Sequence, residues 1–248
     1  MRTLLGAAVV LALSQAAPPP VRVPVLVELF TSEGCASCPE ADALLETLQR
    51  EQPVDGVEIV PLGLHVDYFD HLGWKDPFSS SSYTARQQSY PHIFGADSMY
   101  TPQIVVDGRE AVAGNDGDLA RRAVGSAARV AHLPLRLIAH QAADHVQMTI
   151  TLPAAPTDAE KIQLLAAVTE DGLTSMVKRG ENGGRTLTHV AVARTVQALD
   201  SLKSAESVVE KRLAVARSWR SDGLRVVVWL QGAKSRTVYG AASAPVSR

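Results

Sequence analysis

An apolar run, Val25-Leu26-Val27-Glu28-Leu29-Phe30, breaks at Thr31-Ser32-Glu33-Gly34 into Cys35-Ala36-Ser37-Cys38-Pro39, and no other stretch restricts the fold as tightly. The run reads as a buried β-strand. Pro39 suits the first turn of a helix. Beyond it, Ala41, Leu44, Leu45 and Leu48 share one helical face, with Asp42, Glu46, Gln49 and Arg50 on the other. Cys35 and Cys38 are the only cysteines. Two residues apart at a helix start, they can close a disulfide where free N–H groups and the helix dipole favour a thiolate. The pattern also fits half of a zinc site, although no second short-spaced Cys or His pair follows it. It fits a static staple as well, although so small a loop stabilises little. The residues favour redox chemistry and leave the other two readings open.

Gly56 introduces a second strand over 57–66, so the chain begins strand, helix, strand, with the dithiol at a strand's carboxyl end, where open α/β sheets place their sites. Residues 67–100 form an aromatic, turn-rich insert that is expected to cover one edge of the site. The serine run Ser79 to Ser82 precedes a helix through 84–88. Thr101-Pro102 then leads into a short buried strand at 104–106. Asp107-Gly108 signals a hairpin turn, with a return strand at 110–114 and a helix over 119–130 capped by Asp116 or Asp118.

From Leu133 the pattern changes to short strands at 133–139, 145–152, 162–169, 186–196 and 224–230, punctuated by Pro153, Pro156 and Gly172. This predicts a small β-sandwich over 132–248 behind an α/β domain over 18–131. Gly180-Glu181-Asn182-Gly183-Gly184-Arg185 lacks the Lys-Ser/Thr and following helix of a phosphate loop, and reads as a hairpin tip. A length of 248 residues with 46% hydrophobic composition accommodates both units. A net charge of −2 with scattered basic residues gives no sign of a nucleic-acid partner. Residues 1–17 read as a secretory signal: Arg2 at the start, an apolar core over 4–13, and Ser14-Gln15-Ala16 for cleavage. No later stretch is long and apolar enough to span a bilayer. The expected mature chain is exported, periplasmic or extracellular, where a disulfide persists; nothing calls for a cofactor.

The element order, with Cys-x-x-Cys after the first strand and Thr-Pro before the third, resembles the thioredoxin superfamily. More closely, residues 30–42, His65-Val66-Asp67-Tyr68, Gly73-Trp74-Lys75-Asp76-Pro77-Phe78, Tyr100-Thr101-Pro102-Gln103 and residues 179–189 are similar to the secreted bacterial family catalogued as domain of unknown function 1223. The resemblance implies a thioredoxin-like α/β domain followed by a smaller β-rich one. It makes Cys35 the exposed attacking thiol, Cys38 the resolving thiol, and Pro102 a cis-proline facing the disulfide. Thr101 would offer its backbone to a bound peptide. Glu28 lies near where thioredoxins keep a buried carboxylate that moves the resolving thiol's proton; simple alternation would instead place it on a solvent face. Arg185 and His189 are candidates to face the first domain. Gly34, Ala36-Ser37 and the long insert depart from thioredoxin, and Glu33 and Glu40 oppose a thiolate electrostatically.

The function expected from all this is thiol-disulfide exchange with protein thiols or disulfides through Cys35 and Cys38. Two alternatives use the same sulfurs. One is copper binding or delivery with His65 or His71 added; the other is a non-enzymatic module whose disulfide is only structural.

Overall fold

The computed structural model describes residues 22–157 and 159–247; the expected signal segment 1–17 lies outside them. Its elements follow in chain order. The first half holds β1 (Val23–Thr31), α1 (Cys38–Glu51), β2 (Val57–His65), α2 (Ser81–Gln88), α3 (Tyr90–Phe94), β3 (Gln103–Val106), β4 (Glu110–Ala113) and α4 (Gly117–Ala127). The second half is strand alone: β5 (Arg136–Gln141), β6 (His145–Leu152), β7 (Ile162–Glu170), β8 (Leu173–Met176), β9 (Thr186–His189), β10 (Val192–Ser201), β11 (Ser207–Ala214), β12 (Leu224–Gly232) and β13 (Val238–Pro245).

This is a mixed α/β protein built on one large sheet with few helices. The sheet has eight strands in the order β13-β12-β7-β10-β2-β1-β3-β4. β1 and β2 run parallel over their full lengths, which requires the crossover through α1. β3 and β4 extend the sheet antiparallel on the other side of β1. Asp116 caps α4 by accepting the Leu119 N–H at 2.9 Å, as one of the two expected acidic caps.

The sheet does not stop at the change of composition near 131–132. β10 joins the free edge of β2 in parallel at Val192 and Gly63, where the Gly63 N–H donates to the Ala191 carbonyl at 2.8 Å. A Cβ on Gly63 would stand 3.3 Å from the carbonyl oxygens of Val190 and Ala191, so the close approach favours glycine. Ala191 itself takes φ 50°, which divides the expected 186–196 strand into β9 and β10. The sandwich expected for the second half is thereby recast. Its smaller layer is the three-stranded sheet β11-β6-β5, and its other layer is the β7 and β12 portion of the shared sheet. Met148, Ile150 and Leu213 pack there against Leu164, Val168, Val226 and Val228.

The strand alternation sorts the first half into two cores. Val25, Val27 and Leu29 face α1 and α4 through Ala41, Leu45, Leu48, Ala120 and Val124. Leu26 and Phe30 face the opposite side, where Tyr83 and Tyr90 from α2 and α3 meet Trp229 of β12 and Ala241 of β13. A face that an isolated α/β unit would leave to solvent is closed by the second half.

Candidate active site

Cys35 and Cys38 are joined by a disulfide at the amino end of α1, beyond the carboxyl end of β1. Successive tight turns set this up: the Cys35 N–H donates to the Ser32 carbonyl, and the Cys38 N–H to the Cys35 carbonyl, each at 3.2 Å. Pro39 lies in the first turn of α1. Gly34 has a spatial reason, since a Cβ there would come within 2.9 Å of the Phe69 Cβ. The insert occupies the position that an aromatic side chain preceding Cys35 would need.

The Thr101-Pro102 bond is cis, and the Thr101 hydroxyl donates to Cys35 Sγ at 3.6 Å. The Ser37 hydroxyl is 3.5 Å from the same sulfur. Cys35 is less open than the resemblance implies: it keeps 3% of its surface and Cys38 none, with Ala36 and Ser37 exposed between them. The loop joining β8 to β9 accounts for part of that cover. Asn182 donates from Nδ2 to the carbonyls of Glu33 and Cys35, both at 2.9 Å, and the exposed Ala36 N–H donates to Glu181 Oε2 at 3.0 Å. Arg185 holds the Asn182 side chain by donating to its Oδ1 at 2.8 Å. The expected hairpin tip therefore clasps the Cys-x-x-Cys loop.

Beside the disulfide lies a buried polar array that the sequence does not reveal. Glu33, fully buried, accepts the Trp74 indole N–H at 2.7 Å on Oε2 and lies 3.1 Å from His189 Nε2 through Oε1. Its backbone N–H donates to Asp76 Oδ2 at 2.9 Å, and that oxygen pairs with His65 Nδ1 at 2.7 Å. The other nitrogen of His189 faces Asp42 Oδ2 at 3.4 Å. The rings of His65 and His189 meet edge to face at 4.8 Å, with Phe78 against both. Burial by itself would hold the His189 imidazole neutral, but the carboxylates of Asp42 and Glu33 outweigh it and push its pKa up to about 9. Burial would also raise the Asp76 carboxyl, and the His65 partner reverses this, leaving it below the usual range. The charge of Glu33, expected to oppose a thiolate, is thus offset by a buried imidazolium; Glu40 is exposed.

Two expected site residues are placed elsewhere. Glu28 alternates with Val27 and Leu29 and so faces the side away from α1, where it accepts from Arg86 Nε and the Tyr90 hydroxyl. It is neither near solvent nor turned toward Cys38. Its partners Arg86 and Tyr90 both have raised pKa values: burial opposes the charge on Arg86 and is outweighed by Glu28, whereas burial itself raises the Tyr90 phenol. His71 is exposed on a short 3-10 turn, whereas His65 is committed to Asp76. Among the described residues no group of three or more His, Cys, Asp or Glu is arranged to hold a metal ion. No helix among them is long and apolar enough to cross a membrane.

Fold and site together define an α/β protein whose Cys-x-x-Cys disulfide heads a helix beside a cis-proline turn. The chain belongs to the family described as proteins of unknown function, DUF1223, whose model matches residues 26–231. Among solved structures it is similar to protein AGR_C_4864 from Agrobacterium tumefaciens, at 26% identity and a TM-score of 0.70 over 92% of this chain and 96% of that one. HBP35 of Porphyromonas gingivalis is similar in fold, at 15% identity and a TM-score of 0.66 over 91% of this chain and 76% of its own. No similar sequence was found among curated proteins.

Proposed function

We propose that this protein is a thioredoxin-like thiol-disulfide oxidoreductase that works outside the cytoplasm through Cys35 and Cys38. The observation that carries the reading is the setting of the disulfide: at the head of α1, with the Thr101 hydroxyl of the cis-proline turn 3.6 Å from Cys35 Sγ. The loop it closes spans a sequence separation of 3, so cross-linking gains little chain entropy, which weighs against a purely structural bond. Export rests on the signal-like segment 1–17 and agrees with a Cys35–Cys38 disulfide, a bond that an oxidising compartment preserves.

In the oxidising direction a substrate thiolate attacks Cys35 Sγ, the Cys35–Cys38 bond breaks, and its electron pair leaves on Cys38. The second substrate thiol, deprotonated, then attacks the substrate sulfur of the mixed disulfide and expels the Cys35 thiolate. The substrate dithiol is oxidised and the protein disulfide reduced by the same two electrons; the reverse sequence reduces a substrate disulfide. Cys35 is the sulfur for attack because Cys38 has no exposed surface. A Cys38→Ser variant, incubated with a disulfide-bonded peptide, should accumulate a covalent adduct that dithiothreitol releases, and Cys35→Ser should not. Absence of an adduct in a folded Cys38→Ser protein overturns the reading.

A further inference from the structure

Opening the disulfide creates a thiolate on Cys38 in a place without solvent, and Asp42 lies one helical turn further on, on the same buried face of α1. The two residues are four apart on α1 and both lie on its buried face, so their side chains are neighbours. Asp42 Oδ2 is buried and, like His189 Nδ1 opposite it at 3.4 Å, makes no aligned hydrogen bond among the described residues. The two side chains form a buried ion contact rather than an aligned hydrogen bond. They are suited to a proton that changes place.

Resting on the exchange reading, we infer that the Asp42–His189 pair supplies the proton that Cys38 takes up when the disulfide opens. As an incoming thiolate forms its bond to Cys35 Sγ, the Cys35–Cys38 bond breaks and the electron pair goes to Cys38. A proton passes from His189 Nδ1 to Asp42 Oδ2 and from Asp42 to Cys38 Sγ, leaving a neutral thiol and a neutral imidazole. Closing the disulfide runs the same transfers backwards. Asp42 is the group one turn from Cys38 on the buried face of α1, and His189 is a positioning residue that acts through it. Glu33, held by the Trp74 indole, fixes the far nitrogen of His189. The imidazole is otherwise faced by the His65 ring, itself paired with Asp76, and by Phe78, whose ring also lies under the Arg194 guanidinium. With its pKa pushed up to about 9, His189 is in the donating form at neutral pH. One member of the pair, His189, comes from the second half of the chain, on β9, which packs against α1.

The test is the rate at which dithiothreitol opens the disulfide of the folded protein from pH 6 to pH 10, divided by the dithiothreitol thiolate present at each pH. The expected profile is flat near neutrality and falls with an inflection near pH 9. Asp42→Asn and His189→Gln should each lower the neutral rate, by on the order of 100-fold, and His189→Gln should lose the inflection. A per-thiolate rate with no inflection overturns the inference, as do folded variants that open as fast as the parent. The parent profile decides the matter if neither variant folds. A disulfide that resists dithiothreitol until the protein unfolds instead overturns the exchange reading, and this inference with it.

Discussion

His189 Nε2 lies 3.1 Å from the buried carboxylate of Glu33, two residues before Cys35, so a side chain from the last third of the chain neutralises a charge at the disulfide. Removing Glu33 leaves the buried imidazolium with Asp42 as its remaining carboxylate partner. Glu33→Gln should therefore destabilise the protein by about 2 kcal/mol in urea unfolding, and shift the fluorescence of Trp74, whose indole N–H bonds the same carboxylate. A loss within about 0.5 kcal/mol would show that the pairing contributes nothing of this kind.

The same pairing ties stability to pH. The folded-state pKa of His189 is raised from 6.5 to about 9, so the folded protein holds a proton that the unfolded chain releases between those values. Its contribution is fully present below pH 6.5 and is lost as pH rises through about 9. Unfolding free energies at pH 6.5 and pH 9.5 should differ by roughly 3 kcal/mol, and His189→Gln should remove most of that difference. Equal slopes with pH in the two proteins would contradict the pairing.

Asn182 holds the Cys-x-x-Cys loop from above through the carbonyls of Glu33 and Cys35. Asn182→Ala leaves two buried acceptors without their donor, a loss of about 2 kcal/mol. It should also loosen the cover over Cys35, so that alkylation of the reduced protein at Cys35 accelerates roughly in proportion to that loss, by about thirtyfold. Destabilisation without faster alkylation would mean that the β8 to β9 loop does not control access.

On the opposite face of the sheet, Glu28 holds Arg86 and Tyr90. Glu28→Gln should cost about 3 to 5 kcal/mol because it strands a buried guanidinium. The per-thiolate rate of disulfide opening should nevertheless stay within about threefold of the parent's, since a change worth less than one kcal/mol at the sulfur is all that a group across the sheet would impose. A much larger fall in rate would return Glu28 to the reaction.

What the sequence discloses is what local chemistry determines. The alternation around Val27, the Cys35-to-Pro39 helix start, the Asp116 cap and the Thr101-Pro102 turn are each set within a few residues, and they are legible. β11 and β13 are not, because Ser207–Ala214 is half exposed and Val238–Pro245 is rich in Gly, Ala and Ser, so neither carries a strong apolar pattern. The fate of Glu28 depends on whether its face is open, and that is decided by β12 and β13, roughly 200 residues later. Asp42 reads as a solvent-face residue of an amphipathic helix until β9 is laid beside it. His189 reaches Glu33, Asp42 and His65 from β9, which immediately precedes β10 where the sheet continues from β2 past Gly63.

The reduction potential of the Cys35–Cys38 pair bears most directly on the proposed exchange chemistry. It is obtained by equilibrating the folded, metal-free protein in glutathione buffers and counting free thiols. A labile, exchange-competent pair has a value near or above roughly −230 mV, whereas a pair that stays oxidised to below about −300 mV is a structural disulfide or a reductant that needs a dedicated donor, and contradicts an oxidising role.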